Sequence, residues 1–161
     1  MNRISRDEMN MLIATIVAQR TTCRHNKVGC IIVFNGRIIS TGYAGAPRGL
    51  PHCIEAGYSC EIGSDGECIR TSHAEAGAIS FAAGKGISTE GTTMYVTLSP
   101  CLTCSKLIIN AGIKRVMYLE EYRDPSGIIL LGKAGIEIRG FPKEDLVRVL
   151  QDGLLKFYGE V

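Results

Sequence analysis

The sequence contains no tryptophan, and aromatic residues make up only 6% of its 161 residues. Surfaces on which unpaired nucleobases stack are rich in aromatic side chains, so this composition disfavours a single-strand-binding protein. Charge of one sign is also scarce, because 18 basic and 16 acidic residues leave a formal net charge of +2. We therefore expect no stable nucleic-acid partner. The longest apolar runs have about eight residues, whereas a membrane-spanning helix needs roughly 20, so no membrane segment is predicted.

A secretory signal is missing as well. Arg3 and Arg6 are followed directly by Asp7 and Glu8, and no small-residue cleavage site comes after them. We therefore expect a cytoplasmic protein. The length fits one domain of roughly 100–200 residues, and neither a linker nor an internal repeat interrupts the chain, so a single domain is predicted over residues 1–161.

Cysteine, by contrast, is abundant. The count of seven is odd, and no export signal accompanies it, so metal ligands or buried apolar residues are expected in place of disulfides. Cys30 lies within an apolar strand pattern, where the expected role is a small core residue. The cysteines are Cys23, Cys30, Cys53, Cys60, Cys68, Cys101 and Cys104.

Hydrophobic periodicity predicts five helices and five strands in the order α-β-β-α-β-α-β-α-β-α. Asn35-Gly36 is the turn signal of a β-hairpin, and Ser99-Pro100 predicts a helix with Ser99 as N-cap and Pro100 as its first residue. Beyond the hairpin, strands alternate with helices, which implies parallel crossovers with helices on both faces of a sheet. The predicted helices are 5–20, 72–83, 100–111, 126–133 and 142–158, and the predicted strands are 28–34, 37–41, 92–98, 116–119 and 136–138.

A long irregular segment separates the hairpin from the second helix. Residues 42–70 hold six glycines, two prolines and three cysteines within 29 positions. A connection of this length is uncommon unless it is functional or disordered. The three cysteines indicate that an interaction of their side chains holds this segment in a fixed conformation.

Two short motifs carry the chemistry. His73-Ala74-Glu75 opens one predicted helix, and the segment 100–104, with Cys101 and Cys104, opens another. The spacing i, i+3 places both sulfurs on one face of a first helical turn, where the helix N-terminus favours thiolates. One imidazole with two thiolates is the ligand count of a catalytic zinc site, which leaves a position for water whose pKa zinc lowers to about 7.

Glu75 is the candidate proton shuttle. It follows His73 by two residues, and helical side chains two apart diverge by roughly 200°. We therefore expect Glu75 to face the water and the substrate. Either motif alone is common in structural or redox elements, and a zinc-stabilised binding module without chemistry would not need Glu75. Both motifs at predicted helix starts, with a strand between them, favour an enzyme.

The pattern H-x-E…P-C-x-x-C is that of zinc nucleobase deaminases. Segments 28–33, 36–43, 73–76, 94–104 and 111–116 resemble the deoxycytidylate (dCMP) deaminase family, and the likeness extends over about residues 5–140. The resemblance implies a cytidine-deaminase-like three-layer α/β/α sandwich with a five-stranded mixed sheet. It implies hydrolysis of dCMP to dUMP and ammonia, which supplies thymidylate synthesis. It also implies a homo-oligomer, often a hexamer, activated by dCTP and inhibited by dTTP with Mg²⁺.

Three positions depart from the family pattern. Ala44 stands where the family usually has an asparagine that helps to hold the nucleotide, so one polar contact is absent. Gly77 replaces the usual asparagine after His-Ala-Glu-Ala. His25 takes the place of an arginine common in bacterial members, with Arg24 one residue earlier. Alternative substrates are dCTP, cytidine and tRNA adenosine.

A nucleotide monophosphate requires cationic or hydrogen-bonding groups around its phosphate. Each candidate arginine has the alternative role of a solvated surface charge, and the resemblance favours Tyr122 and Arg123, which follow a strand end. The candidates for substrate binding are Arg24, Asn26, Lys27, Arg48, Ala74, Ser99, Tyr122 and Arg123.

A second zinc is the remaining hypothesis. Some dCMP deaminases carry a structural zinc in the matching region, and a closed tetrahedral site would explain how residues 42–70 stay ordered. The predicted ligands are Cys23, Cys53 and Cys68 with either Cys60 or His52. The alternative is a set of free buried thiols.

Overall fold

A five-stranded mixed sheet forms the middle layer of the fold, with the strand order β2-β1-β3-β4-β5. The computed structural model describes residues 3–55, 57–64, 66 and 68–154. The strands are β1 (Gly29–Phe34), β2 (Arg37–Tyr43), β3 (Thr93–Leu98), β4 (Arg115–Glu120) and β5 (Glu137–Gly140).

The strand directions bring several chain ends to one edge of the sheet. β1 pairs antiparallel with both β2 and β3, whereas β3, β4 and β5 run parallel. The start of β1 therefore lies at the same edge as the ends of β2, β3 and β4. The predicted hairpin turn is confirmed, since Asn35 and Gly36 have φ of 48° and 75°, as a two-residue type I′ turn requires.

Helices cover both faces, which confirms the predicted three-layer α/β/α sandwich. The final helix was predicted to reach residue 158, and residues 155–158 lie outside the described residues. The helices are α1 (Arg6–Ala18), α2 (Ala74–Gly84), α3 (Leu102–Asn110), α4 (Ser126–Lys133) and α5 (Lys143–Val149), which continues as a π-helical turn over Leu150–Leu154.

Two apolar clusters hold the layers together. On one face, α1 and α5 pack over β1, β3 and β4 through residues such as Met11, Ile31 and Leu146. On the other face, α2, α3 and α4 enclose a second cluster, in which Cys30 is fully buried as predicted. Among the described residues no helix has the length and apolarity needed to cross a bilayer.

Close packing against β2 brings the start of α2 to the edge of the sheet where β1 begins and β2, β3 and β4 end. A Cβ built on Gly42 would lie 2.1 Å from the carbonyl oxygen of Ala74, a distance that no real Cβ contact allows. Glycine at this position therefore lets α2 approach the end of β2, where His73 precedes the helix.

The predicted N-cap at Ser99 is wrong. Cys101 is the N-cap of α3, and Leu102 is its first residue. The Ser99 hydroxyl instead accepts a hydrogen bond from the backbone N–H of Tyr122 at 2.8 Å, and the Ser99 N–H donates to the carbonyl of Glu120 at 2.8 Å. These bonds join the segment after β3 to the segment after β4, which explains why Ser99 does not cap the helix.

Candidate active site

The two helix starts place an imidazole beside two thiols. His73 is the N-cap of α2, Cys101 is the N-cap of α3, and Cys104 lies three residues further on. The His73 Nδ1 atom is 3.5 Å from the Cys101 Sγ and 3.4 Å from the Cys104 Sγ. The three donor atoms lie within 4.8 Å of one another.

These distances fit a tetrahedral zinc ion. Zinc–sulfur bonds of about 2.3 Å and zinc–nitrogen bonds of about 2.0–2.1 Å imply a nitrogen–sulfur separation of roughly 3.6 Å. Both observed separations agree with that value within about 0.2 Å, the tolerance of a plausible metal site. The donor set therefore fits zinc with one coordination position left for a further ligand.

Electrostatics favour a thiolate in this group. Hydrogen bonds from the Cys104 thiol and from His73, against the opposing effect of burial, lower the pKa of the Cys101 thiol to about 4. The hydrogen bond to Cys101, burial and the nearby Glu75 charge raise the pKa of Cys104 far above its usual range. These opposite shifts favour a thiolate at Cys101.

Glu75 is almost fully buried, with 4% of its surface exposed. Burial raises the pKa of its carboxyl, although the His73 charge and a hydrogen bond with Cys104 act in the opposite direction. His73 precedes the helix and has extended backbone angles, so the divergence of roughly 200° expected between helical residues two apart does not hold for His73 and Glu75. Glu75 nevertheless lines the same cleft as His73 and Cys101.

That cleft combines polar groups with an apolar wall, as small-molecule sites do. Four of the predicted substrate residues line it: Asn26, Ala74, Ser99 and Tyr122. Val28, Ala44 and Leu98 give it an apolar wall. His25 and Thr71 also line the cleft, and neither was a predicted site residue, although each lies within two positions of one.

The other predicted substrate residues lie elsewhere among the described residues. Arg123 lies over the Tyr122 ring at 5.6 Å and lines the adjoining groove over the starts of α2 and α3. Lys27 lines a neighbouring pocket beside α1, and Arg24 and Arg48 are exposed. The structure therefore brings the arginine at 123 to the edge of the cleft but leaves Arg48 apart from its lining.

A second cluster of donors lies in the long segment after β2. The Sγ atoms of Cys53, Cys60 and Cys68 lie within 4.8 Å of one another, and Cys53 and Cys68 are 3.8 Å apart. Two sulfurs on one tetrahedral zinc would be separated by roughly 3.8 Å. Burial opposes ionisation of Cys68, but neighbouring hydrogen-bond donors, including the backbone N–H groups of Arg70 and Glu61, lower its pKa to about 7.

The predicted ligands Cys23 and His52 lie outside this group. The Cys23 Sγ accepts a hydrogen bond from the His25 N–H at 3.4 Å and lines the catalytic cleft. His52 Nδ1 is 2.9 Å from the Thr22 hydroxyl. The backbone N–H of Arg24 reaches the Cys60 sulfur, so the chain next to Cys23 contacts the cluster.

Comparison with known proteins gives concordant matches. The family model described as "Cytidine and deoxycytidylate deaminase zinc-binding region" matches residues 4–120. The deoxycytidylate deaminase of Enterobacteria phage T4 is 37% identical, over 92% of this chain and 96% of that protein. The Saccharomyces cerevisiae deoxycytidylate deaminase is also 37% identical over 92% of this chain, which spans 48% of the yeast protein.

A solved structure shares the fold. The crystal structure of dCMP deaminase from cyanophage S-TIM5, in complex with dCMP and dUMP, matches with a TM-score of 0.76 and 34% identity. The match covers 88% of this chain and 100% of the cyanophage chain. The cytidine-deaminase-like fold predicted from the sequence is thereby confirmed.

Proposed function

Because this chain belongs to the cytidine and deoxycytidylate deaminase family, we propose that it hydrolyses dCMP to dUMP and ammonia. The observation that carries the proposal is the burial of the Glu75 carboxyl in the same cleft as an imidazole and two thiols at zinc-binding distances. An acid in that position serves proton transfer, and a purely structural site would gain nothing from it.

His73, Cys101 and Cys104 would hold the zinc ion through Nδ1 and the two Sγ atoms. When bound there, zinc supplies the Lewis acidity that makes water nucleophilic at neutral pH. Glu75 accepts a proton from the attacking water and delivers it to the N3 atom of the cytosine ring. Glu75 then takes the second proton from the oxygen that has added to C4 and delivers it to the 4-amino group. The C4–N4 bond breaks, ammonia leaves, and the oxygen stays on C4 as the carbonyl.

The cleft lining suits a pyrimidine nucleotide. The base would lie against Val28, Ala44 and Leu98, with its reacting carbon toward Glu75. Asn26, Ala74, Ser99 and Tyr122 would complete the wall around base and sugar. The phosphate would lie at the open mouth, where Arg123 supplies positive charge from the adjoining groove, and the exposed Arg24, next in the chain to the lining residue His25, would add to it. In support, the four wall residues line one cleft, and Arg123 stacks against Tyr122 at its edge.

A second zinc is proposed at Cys53, Cys60 and Cys68. Cys23 lies outside this group in the structure, and it is proposed as the fourth sulfur because Arg24, its neighbour in the chain, contacts Cys60. The 3.8 Å separation of the Cys53 and Cys68 sulfurs and the contact of the Arg24 backbone with Cys60 support this assignment. His52 is not included, because its Nδ1 atom lies beside the Thr22 hydroxyl. This ion would fix the segment that carries Cys68, which also lines the catalytic cleft.

The resemblance extends the proposal to the protein's wider role. We propose that residues 1–161 act as one deaminase domain in a cytoplasmic homo-oligomer, with the hexamer as the expected form. Its product dUMP would supply thymidylate synthesis, and dCTP and dTTP, each with Mg²⁺, would act as activator and inhibitor.

Ammonia release from a substrate panel tests the function. The panel contains dCMP, CMP, dCTP, deoxycytidine, cytidine and tRNA, each with and without dCTP or dTTP as effector. We expect dCMP to have the highest kcat/KM, with dCTP lowering and dTTP raising the half-saturating concentration. A preference for the free nucleoside or for tRNA would contradict the proposed substrate. No release from any of them by zinc-loaded protein would favour a binding module.

A further inference from the structure

The first turn of α4 lies directly behind the predicted zinc ligand Cys101. Gly127 is buried at the second position of this helix. A Cβ built on Gly127 would lie 2.0 Å from the carbonyl oxygen of Pro100, 2.8 Å from the carbonyl carbon of Cys101 and 2.8 Å from the Ser105 Oγ. Real Cβ atoms essentially never come within 3.0 Å of such neighbours. Any side chain here would therefore have to displace one of these groups.

Gly127 is part of a regular helix, so conformational freedom does not explain the glycine. The reason is that position 127 has no room for a side chain. Two of the three close atoms are backbone atoms of Pro100 and Cys101, which cannot rotate away as a flexible side chain can. The Ser105 side chain is fully buried, and its backbone N–H donates to the Cys101 carbonyl at 2.9 Å. The Pro100–Cys101 peptide is therefore held between α4 on one side and the first turn of α3 on the other.

The helix itself cannot easily retreat. Leu131, one turn after Gly127, is fully buried in the cluster that α3 and the sheet share. Moving α4 outward would open a void around that side chain, which costs stability in a close-packed interior. The segment 100–101 precedes α3 and lies outside every helix and strand, so it can shift without moving a whole element. A methyl group at position 127 would therefore push Cys101.

We propose that Gly127 is a positioning residue for the metal site, because the absence of a side chain there sets the place of the Cys101 sulfur relative to His73 Nδ1. The inference rests on the proposed zinc site. Metal sites tolerate ligand displacements of about 0.2 Å, whereas relief of a 2.0 Å contact to a 3.0 Å one needs roughly 1 Å of movement. Disturbed support of a ligand typically weakens metal binding by about 10–100-fold.

The fold offers a matched control in the same helix. Gly132 also lies in α4, but a Cβ built there meets no atom within 4 Å. Gly127→Ala and Gly132→Ala are therefore the same chemical change, with the same gain in helix propensity, and differ only in what the methyl group meets. Zinc affinity is measured by competition with a chelator, and the absorption spectrum of the cobalt-substituted protein reports the geometry of the two sulfurs. Neither readout depends on substrate or turnover.

We expect Gly127→Ala to bind zinc about 10–100-fold more weakly and to shift the thiolate-to-cobalt bands, while Gly132→Ala matches the wild type in both. The Cys60→Ser background removes the second cluster from both readouts. Adding Leu131→Val to Gly127→Ala loosens the anchor of α4 and should restore part of the affinity. Wild-type affinity and spectrum in Gly127→Ala would overturn the proposal, as would equal losses in both alanine variants. Failure of both Gly127→Ala and its Leu131→Val double variant to fold would also overturn it, since the effect would not be confined to the metal site.

Discussion

Replacement of Glu75 by glutamine should separate activity from stability. The glutamine has nearly the same shape, so the packing around this buried residue, 4% exposed, is retained, but it cannot carry a proton between water and the base. General acid–base catalysis contributes about 10²–10⁴-fold, which corresponds to roughly 3–5.5 kcal/mol of transition-state stabilisation. We therefore expect kcat for dCMP to fall by about two to four orders of magnitude, with a smaller change in KM.

Whereas the activity of Glu75→Gln should fall, the stability of its metal-free form should equal or exceed that of the metal-free wild type. Burial raises the pKa of Glu75 in the folded state above its value in the unfolded chain. The group therefore contributes most to stability below its unfolded pKa, and that contribution is lost as the pH rises through the folded pKa. Glutamine does not ionise, so Glu75→Gln should unfold at the same or a higher temperature than the wild type at pH 7–8.

Turnover is measured on zinc-loaded protein of determined zinc content, and thermal unfolding is measured on metal-free protein from the same batch. Loss of activity with zinc and stability retained supports the proton-transfer role. Turnover of Glu75→Gln within tenfold of the wild type, at full zinc occupancy, would refute the reasoning.

Three further perturbations test other parts of the account. Asp7 accepts hydrogen bonds from Arg115 at 2.9 and 3.2 Å, and although burial opposes the effect, these and other contacts lower its pKa. The contribution of Asp7 to stability is thus present above its unfolded pKa and lost as the pH falls through its folded pKa. Asp7→Asn should therefore destabilise the fold at pH 7 by about 1–3 kcal/mol in urea unfolding, and much less near pH 2. An equal loss of stability at both pH values would contradict this expectation. Cys60→Ser should lower the zinc content of fully loaded protein from two ions to one per chain by elemental analysis, and an unchanged count would exclude Cys60 as a ligand. Combined Arg24→Ala and Arg123→Ala should raise KM for dCMP at least tenfold and leave deoxycytidine turnover unchanged, whereas equal loss on both substrates would count against a phosphate clamp.

Local sequence patterns predicted the elements of this fold well. Alternating or helical spacing of apolar residues marks which stretches can bury one face. The predicted strands and the first four predicted helices are present with small shifts at their ends, whereas the last α-helix ends at Val149 and continues as a π-helical turn to Leu154. The pairing of β1 with β3 was not predicted, because apolar spacing does not say which strand of a hairpin meets the next one.

The errors arise where distant parts of the chain compete for one group. Ser99 followed by proline is a strong local N-cap signal, but its hydroxyl accepts from Tyr122, which lies 23 positions later. The grouping of the cysteines depends on the path of the segment 42–70, which spacing does not determine. The sequence therefore indicated a cysteine cluster, but not that His52 would lie beside Thr22 or that Cys23 would line the cleft.

The lack of room for a side chain behind Cys101 could not be predicted from the sequence for the same reason. Gly127 reads as an ordinary helical residue in the sequence, and only the packing of α4 shows that it meets the Pro100 carbonyl.

The account depends on one zinc ion held by His73, Cys101 and Cys104 beside Glu75. Anomalous X-ray diffraction at the zinc absorption edge, from crystals of zinc-loaded protein, tests this most directly. We predict a peak about 2.0–2.1 Å from the His73 Nδ1 atom and about 2.3 Å from each of the two sulfurs. Zinc-loaded crystals with no anomalous peak among these three atoms would contradict the account.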